Sequence, residues 1–462
     1  MRIFLLFVTA AITANAGPNV LFIVADDLGW NDVGYHGSEI STPNIDMLAT
    51  KGVQLDRFYA FPVCSPTRTA LMTARSPLTL GIHGPLNPTV KGGVPTSERL
   101  LPEMFRDAGY QTFITGKWHL GHSHVKYFPT SRGFDHFYGH LGGTLNYYLH
   151  THRRVLDWQR NGKSLEEEGY STHLVVNEAV QLIKGRDKSK PFLMYVPFNA
   201  PHSPLQAPDE AIDKYAHIED EHRRIFAAMV DELDIAIGRL LDTVKSEGQW
   251  EDTLIVFMSD NGGENRVGGS NLPLAGNKTE AREGGIRVPA AVYWPGKVTG
   301  PRVLRQMVSV QDWMPTLAAA IGTTTGATQK LDGQNMWPAI AEDKPIPRHP
   351  TVIGGGTGAM WMAAFSGSWK LLRNPRAPGV PSVDKLFRIT TDPLETTDLA
   401  KAQPSVAKRL AAVLDNFPIG EQLGGGGGRQ PRARKKGGGG PGAMPDNTPP
   451  QGTPYAEAAE RD

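Results

Sequence analysis

Four apolar runs along the chain each end in polar residues. NVLFIVADD ends at Asp26 and Asp27, YQTFITGKWH at Lys117 and His119, PFLMYVPFNAPH at His202, and TLIVFMSDN at Asp260 and Asn261. Short runs rich in β-branched and aromatic residues, bounded by Gly, Pro or Asn, read as buried strands. Helical patterns separate them. STPNIDMLATKG has Thr42 as cap, Pro43 at the first helical position and Gly52 as the stop. TSERLLPEMFRDAG reads as helical on both sides of Pro102, with Gly109 closing it. From about Asp220 to Glu247, Ile225, Met229, Leu233, Ile237, Leu240 and Val244 form a core-facing stripe. Strands alternating with helices predict an α/β fold: a large, mixed, mostly parallel sheet flanked by helices. Ligands of open sheets bind beyond the carboxyl ends of the strands, where all four polar clusters fall. Later, MWMAAFSGSWKLLR and DKLFRITTDP read as antiparallel strands packed on one helix near PSVAKRLAAVLDNF.

Asp26, Asp27, Asp260 and Asn261 are the most telling subset. Adjacent carboxylates at a strand end repel each other unless positive charge lies between them. Three Asp with one Asn make an all-oxygen set, suited to Ca²⁺ or Mg²⁺ rather than Zn²⁺. Taken singly, each pair reads equally well as a helix or turn cap. Cys64, in FPVCSPTRTALMTAR, is the only cysteine of the 462 residues. Pro66 fits the first turn of a helix, and Leu71 and Met72 begin an apolar face. The Cys64 side chain therefore stands at a helix N-terminus, where unpaired N–H groups favour negative charge. Arg68, Lys117 and Lys278 offer fixed positive charge, and His119 and His202 offer proton transfer near neutral pH. A metal with several cations around one helix N-terminus points to a tetrahedral oxyanion, sulfate or phosphate.

Composition changes this picture at the two ends. MRIFLLFVTAAITANAG has the charge, apolar run and A-x-A site of a secretory signal over residues 1–16. The run is too short to span a bilayer, so no transmembrane segment is expected there. With one cysteine the chain can form no internal disulfide, and stability must come from a large core. The net charge of +1 argues against a nucleic-acid footprint. The one intact N-x-[ST] triplet is Asn277-Lys278-Thr279, inside the candidate site, which favours bacterial export to the periplasm or medium over a heavily glycosylated lysosomal protein. From Gly420 to Asp462 the chain is rich in Gly and Pro and reads as a flexible, solvated tail. Its basic cluster Arg432, Arg434, Lys435 and Lys436 offers contact with an acidic glycan or surface as the alternative.

CSPTR, followed by TALMTAR, resembles the C-x-P-x-R signature of the type I, formylglycine-dependent sulfatases. ADDLGW, GKWHLG, RGFDHFYG, NAPHSPL, SDNGGE, NKTEAREGGIRVP and DPLETTDL agree in order, over roughly residues 19–399. GKWHLG, RGFDHFYGHLGG and PLQAPDE are closest in flavour to the arylsulfatase B (N-acetylgalactosamine-4-sulfatase) branch. The resemblance implies an alkaline-phosphatase-like catalytic domain over residues 17–345 and an α+β subdomain over 346–419 that closes one side of the pocket. It implies conversion of Cys64 to Cα-formylglycine by a separate maturation enzyme. One hydroxyl of the hydrated aldehyde attacks sulfur, and the second then expels sulfate. Asp26, Asp27, Asp260, Asn261 and the modified Cys64 resemble the Ca²⁺ ligands. Arg68 would neutralise the metal-bound carboxylates, and Lys117 and Lys278 would hold the sulfate oxygens. His119 would assist deprotonation of the diol, and His202, with Lys278, would protonate the leaving alcohol. Glu283 and Arg287 are expected to shape the loop. The reading is thus a sulfatase acting on a sulfated saccharide. A phosphonate monoester or phosphodiester hydrolase with the same nucleophile, and a silent glycan-binding relative, are the alternatives. Tyr147, Tyr148 and His150 in GTLNYYLHTHRR are candidates for stacking on a sugar, with core or rim packing as the other option.

Overall fold

Side-chain alternation splits the strand Asn19–Ala25 between two cores. Val20, Phe22 and Val24 join one apolar cluster, and Leu21, Ile23 and Ala25 join the other. All seven residues of the strand are buried, as a central strand covered on both faces requires. The computed structural model describes residues 17–298, 300–357, 360–374 and 382–423. In it the four runs become Asn19–Ala25, Gln111–Lys117, Phe192–Pro197 and Thr253–Ser259. The Thr253 strand pairs parallel with the Asn19 strand, which pairs with the Phe192 strand, then the Gln111 strand, then His136–His140. Antiparallel neighbours at both ends extend this block to a mixed ten-stranded sheet. Because the block is parallel, every strand delivers its carboxyl end to the same edge.

Helices cover both faces. Glu221–Ser246 lies on one, burying Met229, Leu233, Ile237, Leu240 and Val244, with Asp220 capping it through Arg223 N–H at 2.7 Å. The Cys64–Thr73 helix lies on the other and contributes Ala70, Leu71 and Met72 to that core. Pro43–Lys51 is helical between Thr42 and Gly52 as expected. The helix expected on both sides of Pro102 is instead Leu101–Asp107. A proline ring inside a helix would collide with the carbonyl four residues back, so the helix starts where Pro102 falls in its first turn. Glu103 accepts the Leu100 N–H at 2.6 Å to finish that end.

The C-terminal part forms a four-stranded antiparallel sheet, Thr351–Gly355, Trp361–Ser366, Trp369–Asn374 and Val383–Arg388. The helix Pro404–Asp415 packs on it through Leu410 and Leu414, over a small separate core that also takes Leu78. The expected tail begins attached: Gly420 and Leu423 donate backbone hydrogen bonds to Leu78 and Gly81, both at 2.8 Å. The signal segment 1–16 and the basic cluster 432–436 lie outside the described residues. No helix among the described residues is long and apolar enough to cross a membrane.

Candidate active site

Topology does most of the assembly. Asp26 and Asp27 follow one strand directly, Asp260 and Asn261 follow its neighbour, Lys117 ends a third, and His119 lies two residues on. His202 stands on the turn after Pro197, and Cys64 opens its helix against the same edge. Asp27, His119 and Thr279, next to Lys278, hold positive φ of 69°, 57° and 79°. Left-handed backbone is costly for residues with a Cβ and persists where surrounding contacts impose it. A side chain on Gly143 would strike the His119 ring, its Cβ falling 2.5 Å from Cε1, so glycine is what lets that loop approach.

Asp26, Asp27 and Asp260 are fully buried, and each meets a cation. Lys117 Nζ lies 2.5 Å from Asp26 Oδ2, and Lys278 Nζ lies 2.6 Å from Asp27 Oδ2. Arg68 donates to Asp260 Oδ2 from Nε at 3.0 Å and from Nη2 at 2.8 Å, and its Nη1 donates to the Lys117 carbonyl. Cys64 Sγ is 3.2 Å from His119 Nδ1. His202 Nδ1 donates to the Ser203 carbonyl at 2.7 Å, which turns Nε2 toward Lys278 Nζ at 3.0 Å. Burial would raise the Asp27 carboxyl, but the charges of His202 and Lys278 hold it far below the usual range. Burial, then the charge of Asp26, pushes Asp260 up to about 6 against Arg68 and Lys117. Burial, reinforced by Lys117 and Arg68, keeps His119 well below its ordinary value and so neutral. Burial lowers His202 to about 4, with Asp27 opposing and Lys278 adding to the effect. Burial also raises the Cys64 thiol, so residue 64 as plain cysteine is protonated at neutral pH and a poor nucleophile.

The donor set fits a hard cation. Two buried oxygens, Asp26 Oδ1 and Asn261 Oδ1, have no hydrogen-bond partner, and two further carboxylates adjoin them. Orphaned buried oxygens are costly unless something positive satisfies them. Oxygen-only donors of this kind suit Ca²⁺ better than a thiophilic metal.

In front of these residues lies a cleft of about 290 Å³ lined by Cys64, His119, His202 and Lys278. Lys117 and Arg68 are buried behind it. Thr357 places the C-terminal subdomain on one wall. The loop GTLNYYLHTHRR reaches the cleft through Gly143, Thr144, His152 and Arg153. The stretch SNLPLAGN, residues 270–277, does not line it; Ser270 N–H bonds Asp32 and the Asn271 side chain bonds Gly263. Neither Tyr147 nor His150 is available to stack on a sugar. Tyr147 is fully buried, its hydroxyl bonding the Asn199 and His202 carbonyls, and His150 is buried against Trp158. Tyr148 alone of the three is exposed, beside a separate cavity. Sequence reasoning missed the wall residues Asn87, Thr144, His152, Arg153 and Thr357, which carry no motif of their own. Glu283 and Arg287 hold the loop as expected: Glu283 accepts from Tyr59, and Arg287 binds Asp56.

The sulfatase family profile matches residues 18–323. Mouse arylsulfatase J is 34% identical, covering 88% of this chain and 77% of that protein. Human N-acetylgalactosamine-6-sulfatase is 34% identical, covering 76% and 71% respectively. The crystal structure of Ps i-CgsB in complex with k-i-k-neocarrahexaose superposes with a TM-score of 0.80 at 34% identity, covering 88% of this chain and 94% of that one. These relatives do not single out the arylsulfatase B branch. The fold is the alkaline-phosphatase-like sulfatase fold, and the chain belongs to the sulfatase family as a sulfuric ester hydrolase.

Proposed function

We propose that this sulfatase cleaves a sulfate ester of a carbohydrate, using formylglycine made from Cys64 by a separate maturation enzyme, and that it works after export. The observation that carries the reading is the placement of Cys64: at a helix start, 3.2 Å from His119, in a cleft shared with Lys278 and His202. A buried, protonated thiol there gains its use by conversion. Hydrated formylglycine supplies one hydroxyl to attack sulfur and another to release sulfate. Asp26, Asp27, Asp260 and Asn261, with residue 64, would hold a Ca²⁺ that supplies Lewis acidity at the sulfate. The carbohydrate reading is supported by the relative named N-acetylgalactosamine-6-sulfatase and by the neocarrahexaose of the Ps i-CgsB complex.

The chain's own residues divide the remaining work. Lys278, at the cleft wall, holds the sulfate oxygens, and Lys117 adds positive charge from behind, where negative charge develops in the transition state. Arg68 keeps the Asp260 carboxylate in place and compensated. His119, neutral and within reach of residue 64, takes the proton that activates the nucleophile and its release step. His202 and Lys278 share a proton along their 3.0 Å contact and deliver it to the leaving oxygen. The test is twofold. Peptide mass spectrometry of active protein should find the residue-64 peptide with sulfur replaced by oxygen, and active protein in which every copy keeps its thiol would overturn the formylglycine reading. Paired aryl sulfate and aryl phosphate or phosphonate esters should show the sulfate preferred; preference for phosphorus would establish the competing hydrolase.

A further inference from the structure

The cleft wall holds a cation that the chemistry above does not use. Arg153 is exposed and lines the cleft together with Lys278, His119, His152 and His202, and no Asp or Glu lines it among the described residues. Among the described residues Arg153 has no ion-pair partner, although Arg160, seven positions on, binds Glu178 at 2.8 Å. Its neighbour Arg154 faces a different cavity, which Glu166, Glu167 and Glu168 also line.

The backbone places Arg153 at some cost. It forms, with Arg154, the two-residue turn between the strands Thr151–His152 and Val155–Leu156, at φ of 49° and 71°. Such a turn calls for positive φ at both central positions, which Asn and Gly supply and arginine resists. The hairpin is stapled to the catalytic loop. His152 Nδ1 bonds the Thr144 carbonyl at 2.9 Å, and the Asp157 carboxylate accepts the N–H groups of Leu141 and Gly142 at 2.9 and 2.7 Å. Leu141 in turn accepts the His119 N–H at 3.2 Å. The base of Arg153 is therefore fixed relative to His119, while its guanidinium stands free at the mouth of the cleft. Strained backbone kept in register with catalytic residues is the kind of feature retained for function.

We propose that Arg153 forms an anion subsite, and that the preferred substrate carries a second sulfate or a carboxylate close to the sulfate ester that is cleaved. A planar guanidinium binds either group through paired N–H donors. This rests on the sulfatase reading. The experiment compares wild type, Arg153→Asn and Arg154→Asn on four substrates: an activated aryl sulfate, a neutral monosulfated saccharide, a disulfated saccharide, and a monosulfated saccharide containing a uronate. Asn suits left-handed backbone, so both variants should fold with thermal midpoints equal to or above wild type. Wild type should prefer one of the doubly charged saccharides over the neutral one, and which one names the second anion. Arg153→Asn should lose about ten-fold in kcat/KM on that saccharide, the size of a lost charge-assisted hydrogen bond, and clearly less on the aryl sulfate and the neutral saccharide. Arg154→Asn should keep the preference. Binding of the same saccharides to Cys64→Ala protein, with and without Arg153→Asn, should show the same loss and does not depend on turnover. No preference in wild type, a preference that survives Arg153→Asn, or equal losses on aryl sulfate would each overturn the subsite. Failure of every sulfate ester to turn over, with saccharide binding still dependent on Arg153, would instead count against the sulfatase reading alone.

Discussion

Lys370→Met removes the cation from a buried ionic triad at the seam between the C-terminal sheet and the short helix Glu283–Ile286. Lys370 is fully buried on the strand Trp369–Asn374, with Nζ 2.8 Å from Glu283 Oε1 and 2.9 Å from Glu395 Oε1. Both carboxylates are nearly inaccessible. Tyr59 OH donates to Glu283 Oε2 at 2.9 Å, and the Glu283 N–H donates to Glu395 Oε2 at 2.9 Å. Methionine fills a similar volume, so the change is one of charge rather than of packing. Removing one partner of a buried pair typically costs about 3–5 kcal/mol, because the other charge stays buried and uncompensated. Here two carboxylates would remain, with Arg287 at 3.7 Å from Glu283 as the nearest relief.

The cost must depend on pH. Burial, together with the charge of Glu283, raises the Glu395 pKa against the pull of Lys370. A carboxyl raised in the folded state contributes stability that is full below its unfolded pKa and is lost as pH climbs through its folded one. Without Lys370 the raising influences act unopposed, so the window of loss widens upward. Urea unfolding followed by tryptophan fluorescence should show the full cost at pH 8 and a clearly smaller one at pH 5, where a proton can occupy the pair. Adding Glu283→Gln and Glu395→Gln to Lys370→Met should recover most of the loss at pH 8. A cost below about 1 kcal/mol, or one equal at both pH values with an unchanged m-value, would refute the claim that uncompensated burial governs this seam.

Asp260→Ala should abolish bound Ca²⁺ and activity together, measured by metal analysis and aryl sulfate turnover; stoichiometric Zn²⁺ in the wild type would rule out the oxygen-only site. His202→Ala should cost more on a sulfated saccharide than on an activated aryl sulfate, because only the poor leaving group needs its proton, and equal losses with chemistry limiting would move the acid to Lys278 alone. Tyr147→Phe leaves the Asn199 and His202 carbonyls short of a donor and should cost about 1–3 kcal/mol in unfolding experiments. It should show the same substrate bias as His202→Ala in weaker form, and unbiased turnover would mean the hydroxyl does not position His202.

What the sequence disclosed and what it withheld divide along a physical line. Asp26, Asp27, Lys117, Asp260 and Asn261 are attached directly to strands, and a buried strand announces itself by an apolar run that no other element can bury so completely. Once the runs are parallel, the polar residues after them have nowhere to go but one edge, so the placement of the candidate site was legible from the hydrophobic pattern. Cys64 was legible for a similar reason, since a proline in the first turn fixes where its helix begins. The wall of the cleft follows no such rule. Arg153 sits on an Arg-Arg turn that contradicts the turn chemistry a reader would look for, and it is fixed by Asp157 reaching back to Leu141 and Gly142. Tyr147 shows the same limit from the other side: an aromatic residue beside a binding loop suggests a sugar platform, yet its ring is buried and its hydroxyl ties down the His202 turn. Both placements depend on contacts between loops, which leave no periodic trace. A sheet edge can therefore gather the polar residues of the candidate site by local pattern, while the cleft wall around them is set by tertiary staples that can change one loop at a time without disturbing the strands beneath.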